Sequence, residues 1–152
     1  MRLSAAGLDL LKKSEGFRDR IYSDVAGVVT IGYGHRLLPG ESFPNGISEA
    51  RALDLLQADI RRAEAAVERL VKVQLNQGQF DALVDFVFNL GGGRLAASTL
   101  LRELNAGRYD AAAGELQRWD HADGIEIASL KARRQAELQL WHDGRNQQKA
   151  VA

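Results

Sequence analysis

The spacing of apolar residues is helical over most of the chain and breaks off in one early stretch. Ser4 is a candidate N-cap, with Leu3 and Leu8 at the two staple positions around it, which predicts a first helix stopped by Gly16. From Ile21 to Leu38 the pattern changes to β-branched and aromatic residues punctuated by Gly27, Gly32 and Gly34, the mark of short strands and tight turns in a small antiparallel sheet. Pro39-Gly40 and Pro44-Asn45-Gly46 mark a loop. Helical spacing then resumes: Ser48 can cap a long helix to about Leu70, with Leu53, Leu56, Ile60, Ala63 and Val67 along it. Asn76 and Gln79 form a capping-box pattern, Leu75 and Phe80 can staple it, and Phe80, Leu83, Val84, Val87 and Phe88 make one apolar stripe that reads as core. Further helices are predicted near Ser98, Asp110 and Ser129, ended by Gly107, by a turn from His121 to Gly124, and by Gly144.

These elements predict an α+β fold, mostly α. No fixed-period repeat and no flexible linker divides the chain, so residues 1–152 are read as a single domain. Its parts are a small β lobe at about 15–47, a connecting helix at about 48–70, and a helical lobe at about 71–145 that includes the N-terminal helix.

Composition narrows the chemistry. With no cysteine, disulfides, thiol nucleophiles and cysteine-based zinc sites are excluded. Twenty basic residues balance twenty acidic ones, so no net field favours nucleic acid or an anionic membrane. Asp9, Lys12 and Lys13 interrupt the N-terminal apolar residues, which leaves neither a signal-peptide core nor a membrane anchor there and predicts synthesis in the host cytoplasm. The run Lys131, Arg133 and Arg134 reads as a solvated helix face. His121 and His142 lack partners at metal-ligand spacing and are expected to face solvent; no metal and no cofactor is expected. Trp119 and Trp141 are read as core, and His35 as a satisfied structural histidine.

Three residues stand out by position: Glu15 at the end of the first helix, Asp24 at the first turn of the sheet, and Thr30 on the following strand. If residues 25 to 29 form the turn, Asp24 and Thr30 come nearly opposite each other while Glu15 approaches from the helix end. The negative end of a helix dipole disfavours an ionised carboxylate, which suits a general acid. Glycoside hydrolysis uses one protonated carboxyl beside the leaving oxygen and one ionised carboxylate across the bond, and a threonine hydroxyl can help hold the attacking water. Spacing alone does not decide for this reading, since twenty acidic residues make chance pairs common.

The stretch SEGFRDRIYSDVAGVVTIGYGH, Ser14 to His35, closely resembles the catalytic segment of the phage T4-type lysozymes and their lambdoid-phage relatives, the endolysin family of glycoside hydrolases. The family's glutamate, aspartate or cysteine, threonine and Ile-Gly-x-Gly-His fall on Glu15, Asp24, Thr30, Ile31, Gly32, Gly34 and His35. FVFNLGGG from Phe86, LLRELNAGRYDAA from Leu100 and LKARRQAE from Leu130 look like its later landmarks. The resemblance implies a two-lobed lysozyme-like fold with a glycan cleft, and a muramidase that cleaves the β-1,4 bond between N-acetylmuramic acid and N-acetylglucosamine in peptidoglycan. Glu15 would be the acid, and Asp24 and Thr30 would handle the water, with inversion as in the T4-type members. Phe88, Asn89 and Thr99 are candidate sugar contacts. It also implies a monomer that reaches the wall from the cytoplasm through a holin-type pore. The rival expectations are a lytic transglycosylase and a non-catalytic peptidoglycan-binding module. Three departures stand against the family pattern: Val29 where an aromatic is common, Ser129 before Leu130 in place of glycine, and the segment from His121 to Ala128.

Overall fold

The computed structural model describes residues 1–151, and of residues 148, 150 and 151 the backbone course alone. Helix α1 (Ala5–Glu15) is followed by a three-stranded antiparallel sheet, β1 (Arg18–Ser23), β2 (Val29–Gly32) and β3 (His35–Arg36), in the order β1-β2-β3. Helix α2 (Glu49–Leu70) leads to α3 (Gln77–Leu90), α4 (Gly92–Ala96), α5 (Thr99–Asn105) and α6 (Tyr109–Glu115). A hairpin of β4 (His121–Ala122) and β5 (Ile125–Glu126) precedes α7 (Ala128–Val151).

The caps read from the sequence set these boundaries. Ser4 accepts from the Gly7 amide and Ser48 from that of Arg51, while Asn76 and Gln79 form a reciprocal capping box. Each satisfies helix-start amides that would otherwise lack an intrahelical partner. Helix α1 is also anchored from a distance, because the Ser4 amide and hydroxyl both bond Asp81 and the Leu3 amide donates to Glu64 at 2.6 Å. Both of these carboxylates are buried.

Two apolar cores are threaded by one helix. Leu11 of α1, Tyr33, and Ala52, Leu56 and Ile60 of the first half of α2 form the smaller. Ala63, Ala66 and Val67 of its second half join α3, α4, α5, α6 and Trp141 in the larger. Phe88 packs against both. Helix α3 is buried on every side from Gly78 to Val87, so it is the axis of the helical part.

Three elements differ from the sequence expectation. Helix α7 passes through Gly144, which was expected to end it. A Cβ built on Gly144 would lie 2.8 Å from the Gly78 Cα, so this glycine permits a backbone-to-backbone crossing of α3 and α7. The glycine-rich segment after α3 folds into α4. The expected turn from His121 to Gly124 is a full hairpin, in which Asp123 and Gly124 both take positive φ (52° and 77°), the backbone of an Asp-Gly hairpin turn.

Candidate active site

Glu15 is the last residue of α1, and its carboxylate is only 17% exposed. Its Oε1 accepts from Arg133 Nη1 at 2.6 Å. Arg133 reaches from α7 and is also held by a fork onto Asp85 of α3, with Nε to Oδ2 at 2.8 Å and Nη2 to Oδ1 at 3.0 Å. Burial alone would lower the Arg133 pKa, but Asp85 and Glu15 outweigh it and raise it, so the guanidinium stays charged. Burial likewise opposes the charge on Asp85, and Arg133 overrides it, holding Asp85 below the ordinary carboxylate value. The solvated face expected for Arg133 and Arg134 is therefore corrected: they are 7% and 1% exposed. The electrostatics around Glu15 are set by this guanidinium as well as by the helix end.

The Ile31 to His35 motif shapes the other wall around Glu15. Gly34 has φ +68°, and a Cβ there would lie 2.7 Å from the Glu15 Cδ, so only glycine lets the chain pass this carboxyl. Gly32, at φ +66°, gives the same clearance against Ala52 of α2. Between them Tyr33 is buried, donates to Glu49 Oε1 at 2.7 Å, and lies with its ring centroid 5.5 Å from that of Phe17. His35 is buried too, with Nδ1 2.7 Å from Asp59 and Nε2 2.8 Å from Glu41. It ties the sheet to α2 and to the following loop, which agrees with its structural reading.

Asp24 opens the turn between β1 and β2. Its Oδ1 accepts from the amides of Ala26 and Val28, both at 2.9 Å, leaving Oδ2 open on a side chain 22% exposed. Arg36 Nε is 3.9 Å from that Oδ2, and Arg36 Nη2 donates to the Asn89 carbonyl at 3.1 Å, so Arg36 joins the Asp24 turn to the end of α3. Thr30 is 2% exposed, and its hydroxyl donates to the Val28 carbonyl at 2.8 Å. The register pairs Thr30 with Tyr22 and Ser23 with Val29, so Thr30 faces Tyr22 where Asp24 was expected. Tyr22 is the residue common to the three: its hydroxyl pKa is raised by burial and then by the charge of Glu15, with a smaller push from Asp24.

Of the expected sugar contacts, Asn89 sits in this junction, with Oδ1 accepting from Arg134 Nη2 at 2.9 Å. Phe88 bridges the two cores. Thr99 starts α5, and its hydroxyl takes a bond from Arg102 at 2.8 Å; none of its hydrogen bonds links it to Glu15, Asp24 or Thr30. Sequence reasoning missed Arg36, Asp85, Arg133, Arg134 and Glu137. The available signal was Asp85 itself, a carboxylate among the apolar residues of α3, which when buried needs a cation or hydrogen-bond donors brought to it from another element. Trp141 is buried and Trp119 packs edge-on against Phe86 with centroids 5.4 Å apart, both as expected, while His121 and His142 are exposed. Among the described residues no group of three or more acidic, histidine or cysteine side chains is placed to hold a metal ion.

The model of the family described as "Phage lysozyme" matches residues 12–137. The chain is 40% identical over 144 residues to the endolysin of Salmonella phage P22, covering 93% of this chain and 98% of that protein. It is 41% identical over 147 residues to the endolysin of Bacillus phage B103, covering 95% of this chain and 55% of the other, so it spans about half of that relative's length. A solved structure titled as an endolysin from Escherichia coli O157:H7 phage FAHEc1 superposes with a TM-score of 0.83 at 35% identity, over 94% of each chain. With the family model covering most of the sequence and the fold agreeing, this chain belongs to the phage lysozyme family of glycoside hydrolases.

Proposed function

We propose that this lysozyme hydrolyses the β-1,4 bond between N-acetylmuramic acid and N-acetylglucosamine in peptidoglycan, with Glu15 as general acid and Asp24 and Thr30 positioning water. The observation that carries this is a carboxyl fixed by a buried cation together with a second carboxylate, at the turn after β1, whose Oδ1 alone is taken by backbone amides while Arg36 Nε stands 3.9 Å from its Oδ2. Glu15 gives its proton to the leaving glycosidic oxygen, and the carboxylate so formed is received by Arg133. Asp24 Oδ1 is occupied by two backbone amides, so Oδ2 is the oxygen left to accept from water. The Thr30 hydroxyl donates its hydrogen bond to the Val28 carbonyl and meets the water through a lone pair. A water donating to both presents its own lone pair to the anomeric carbon. The carbon–oxygen bond to water forms as the glycosidic bond breaks, one water proton passes to Asp24, and the configuration inverts.

In the same reading Phe88, Asn89 and Thr99 contact sugars, and the enzyme acts as a monomer that reaches the wall through a holin-type pore. Among the described residues no helix is long and apolar enough to cross a membrane. Light scattering of the purified protein tests the monomer, and host lysis with and without a co-expressed pore former tests the route.

The acid assignment is tested by wild type and Glu15→Gln on purified peptidoglycan. Loss of roughly 100- to 10,000-fold in turnover at an unchanged melting temperature supports it. Activity surviving in Glu15→Gln overturns it.

A further inference from the structure

Beside Asp24 and Thr30 stands a cation that the mechanism above does not use. The register pairs Thr30 with Tyr22 on one side and with Arg36 on the other, so Tyr22, Thr30 and Arg36 form one row across the three strands. Residues directly opposite in antiparallel strands share a face, which puts Arg36 next to the hydroxyl assigned to the water. From there its half-exposed side chain leaves the sheet: Nη2 donates to the Asn89 carbonyl at 3.1 Å, and Nε passes 3.9 Å from Asp24 Oδ2. The second distance is too long for a hydrogen bond, so the guanidinium stays beside Oδ2 without occupying it.

The other end of this bridge is a rigid acceptor. Asn89 is the next-to-last residue of α3, where carbonyls lack an intrahelical donor and the helix end is partly negative, a good seat for a guanidinium. Its side chain is held in turn by the buried Arg134, whose Nη2 donates to Oδ1 at 2.9 Å. Asn89 lies four residues beyond Asp85, one turn further along the same side of α3. Asp85 carries the fork of Arg133, and Arg133 holds Glu15. Each carboxylate of the site is thus referred to α3 by an arginine: Glu15 by Arg133 onto Asp85, and Asp24 by Arg36 onto Asn89. We propose that Arg36 is a positioning residue that ties the Asp24 turn to α3 and so fixes the span between Asp24 and Glu15. Inversion needs a span that admits a water between one carboxyl and the sugar. Two carboxylates carried by different elements keep it only if those elements are joined near the site. The inference rests on the reading of Asp24 as the carboxylate that holds the water.

Arg36→Met removes the donor and keeps most of the side chain's length, whereas Arg36→Lys keeps a charged N–H for the Asn89 carbonyl. On purified peptidoglycan Arg36→Met should lose up to about 100-fold in kcat with KM little changed, the effect of misplacing a reacting group by about an ångström. Its melting temperature should stay near that of wild type, because the side chain is half-exposed. Arg36→Lys should recover most of the loss. The chain has no cysteine, so spin labels on cysteines placed at the exposed Ser23 of β1 and Gln135 of α7 report the separation of the sheet from the helices. Double electron–electron resonance should give one narrow distance in wild type, a broader or longer one in Arg36→Met, and a return toward wild type in Arg36→Lys. A Met variant as fast as wild type, a Lys variant as slow as the Met variant, or a label distance unmoved by Arg36→Met would each overturn the proposal. So would a rise in KM in place of the fall in kcat, which would make Arg36 a sugar contact. Turnover surviving in Asp24→Asn would remove the step that Arg36 serves, whereas an unmoved label distance removes the bridge itself, so the two failures are distinguishable.

Discussion

The two carboxylates of the site are held in opposite ways. Asp24 is fixed locally: its own turn supplies the two amides that grip Oδ1, from residues two and four positions ahead, and its side chain keeps one oxygen open. Glu15 is fixed at long range by Arg133, 118 positions away in sequence, which is itself gripped by Asp85 from a third helix. A site that must hold a labile water gains from a carboxylate that is partly solvated and anchored by backbone. A group that must give up a proton gains from a rigid, buried cation that fixes its direction and steadies the carboxylate left behind. Loss of the first anchor should therefore cost rate, and loss of the second should cost both rate and fold.

Removing the long-range anchor breaks the comparison hardest. Arg133→Met leaves Asp85 charged and buried without its partner, and urea unfolding should show a loss of about 3–5 kcal/mol of stability. Arg133→Lys should recover only part of it, because a point charge cannot span both oxygens of Asp85 and still reach Glu15.

That asymmetry also explains what could be read from the sequence. The Asp24 side is contiguous, so its glycines, strand residues and Thr30 were legible in one stretch, and each glycine of Ile31-Gly32-Tyr33-Gly34-His35 meets a specific neighbour in the fold. Caps were legible for the same reason, since Ser4, Ser48 and Asn76 bond amides three residues away. The Arg133 side joins residues from α1, α3 and α7. A basic run on a helix looks the same in sequence whether it faces water or Asp85, so the run from Lys131 to Arg134 was misread. The register was missed by one position on each strand, because the turn closes with Asp24 opposite Val28 and so brings Tyr22 opposite Thr30. Gly144 was misread for a similar reason: a glycine that ends a helix and one that lets another helix approach differ only in what lies across from them.

The local side responds in rate alone. Asp24→Asn should slow turnover by about 100-fold and Thr30→Val by somewhat less. Urea midpoints close to wild type for Asp24→Asn would show that the side chain acts on the water more than on the turn. A large shift of its midpoint would place Asp24 among the structural groups.

Gly34 is where the two sides touch. Gly34→Ala puts a Cβ against Glu15 and forces a side chain into positive φ, costing on the order of 1–3 kcal/mol in backbone strain. Thermal melts should fall, and turnover should drop beyond what the melt explains because Glu15 is displaced. A change in melt without a change in rate would show that Glu15 is held by Arg133 alone.

The smallest effect expected is that of His35. Burial lowers its pKa, but hydrogen bonds to Asp59 and Glu41 outweigh this and raise it above the ordinary histidine value. A raised folded-state pKa contributes stability that is complete below the unfolded value of about 6.5 and is lost as pH rises through the folded value. Melting temperature should decline by a few degrees across that window in wild type, and His35→Gln should flatten this part of the profile. An unchanged slope in His35→Gln would assign the pH dependence to other groups.

The most direct test of the whole account is the chemistry of the product. Peptidoglycan digested with the purified protein and analysed by mass spectrometry should yield muropeptides that each end in a hydrated reducing sugar, because the account rests on a water held by Asp24 and Thr30. Fragments lighter by one water would mean that the sugar's own hydroxyl closed an anhydro ring, and would contradict the role given to both residues.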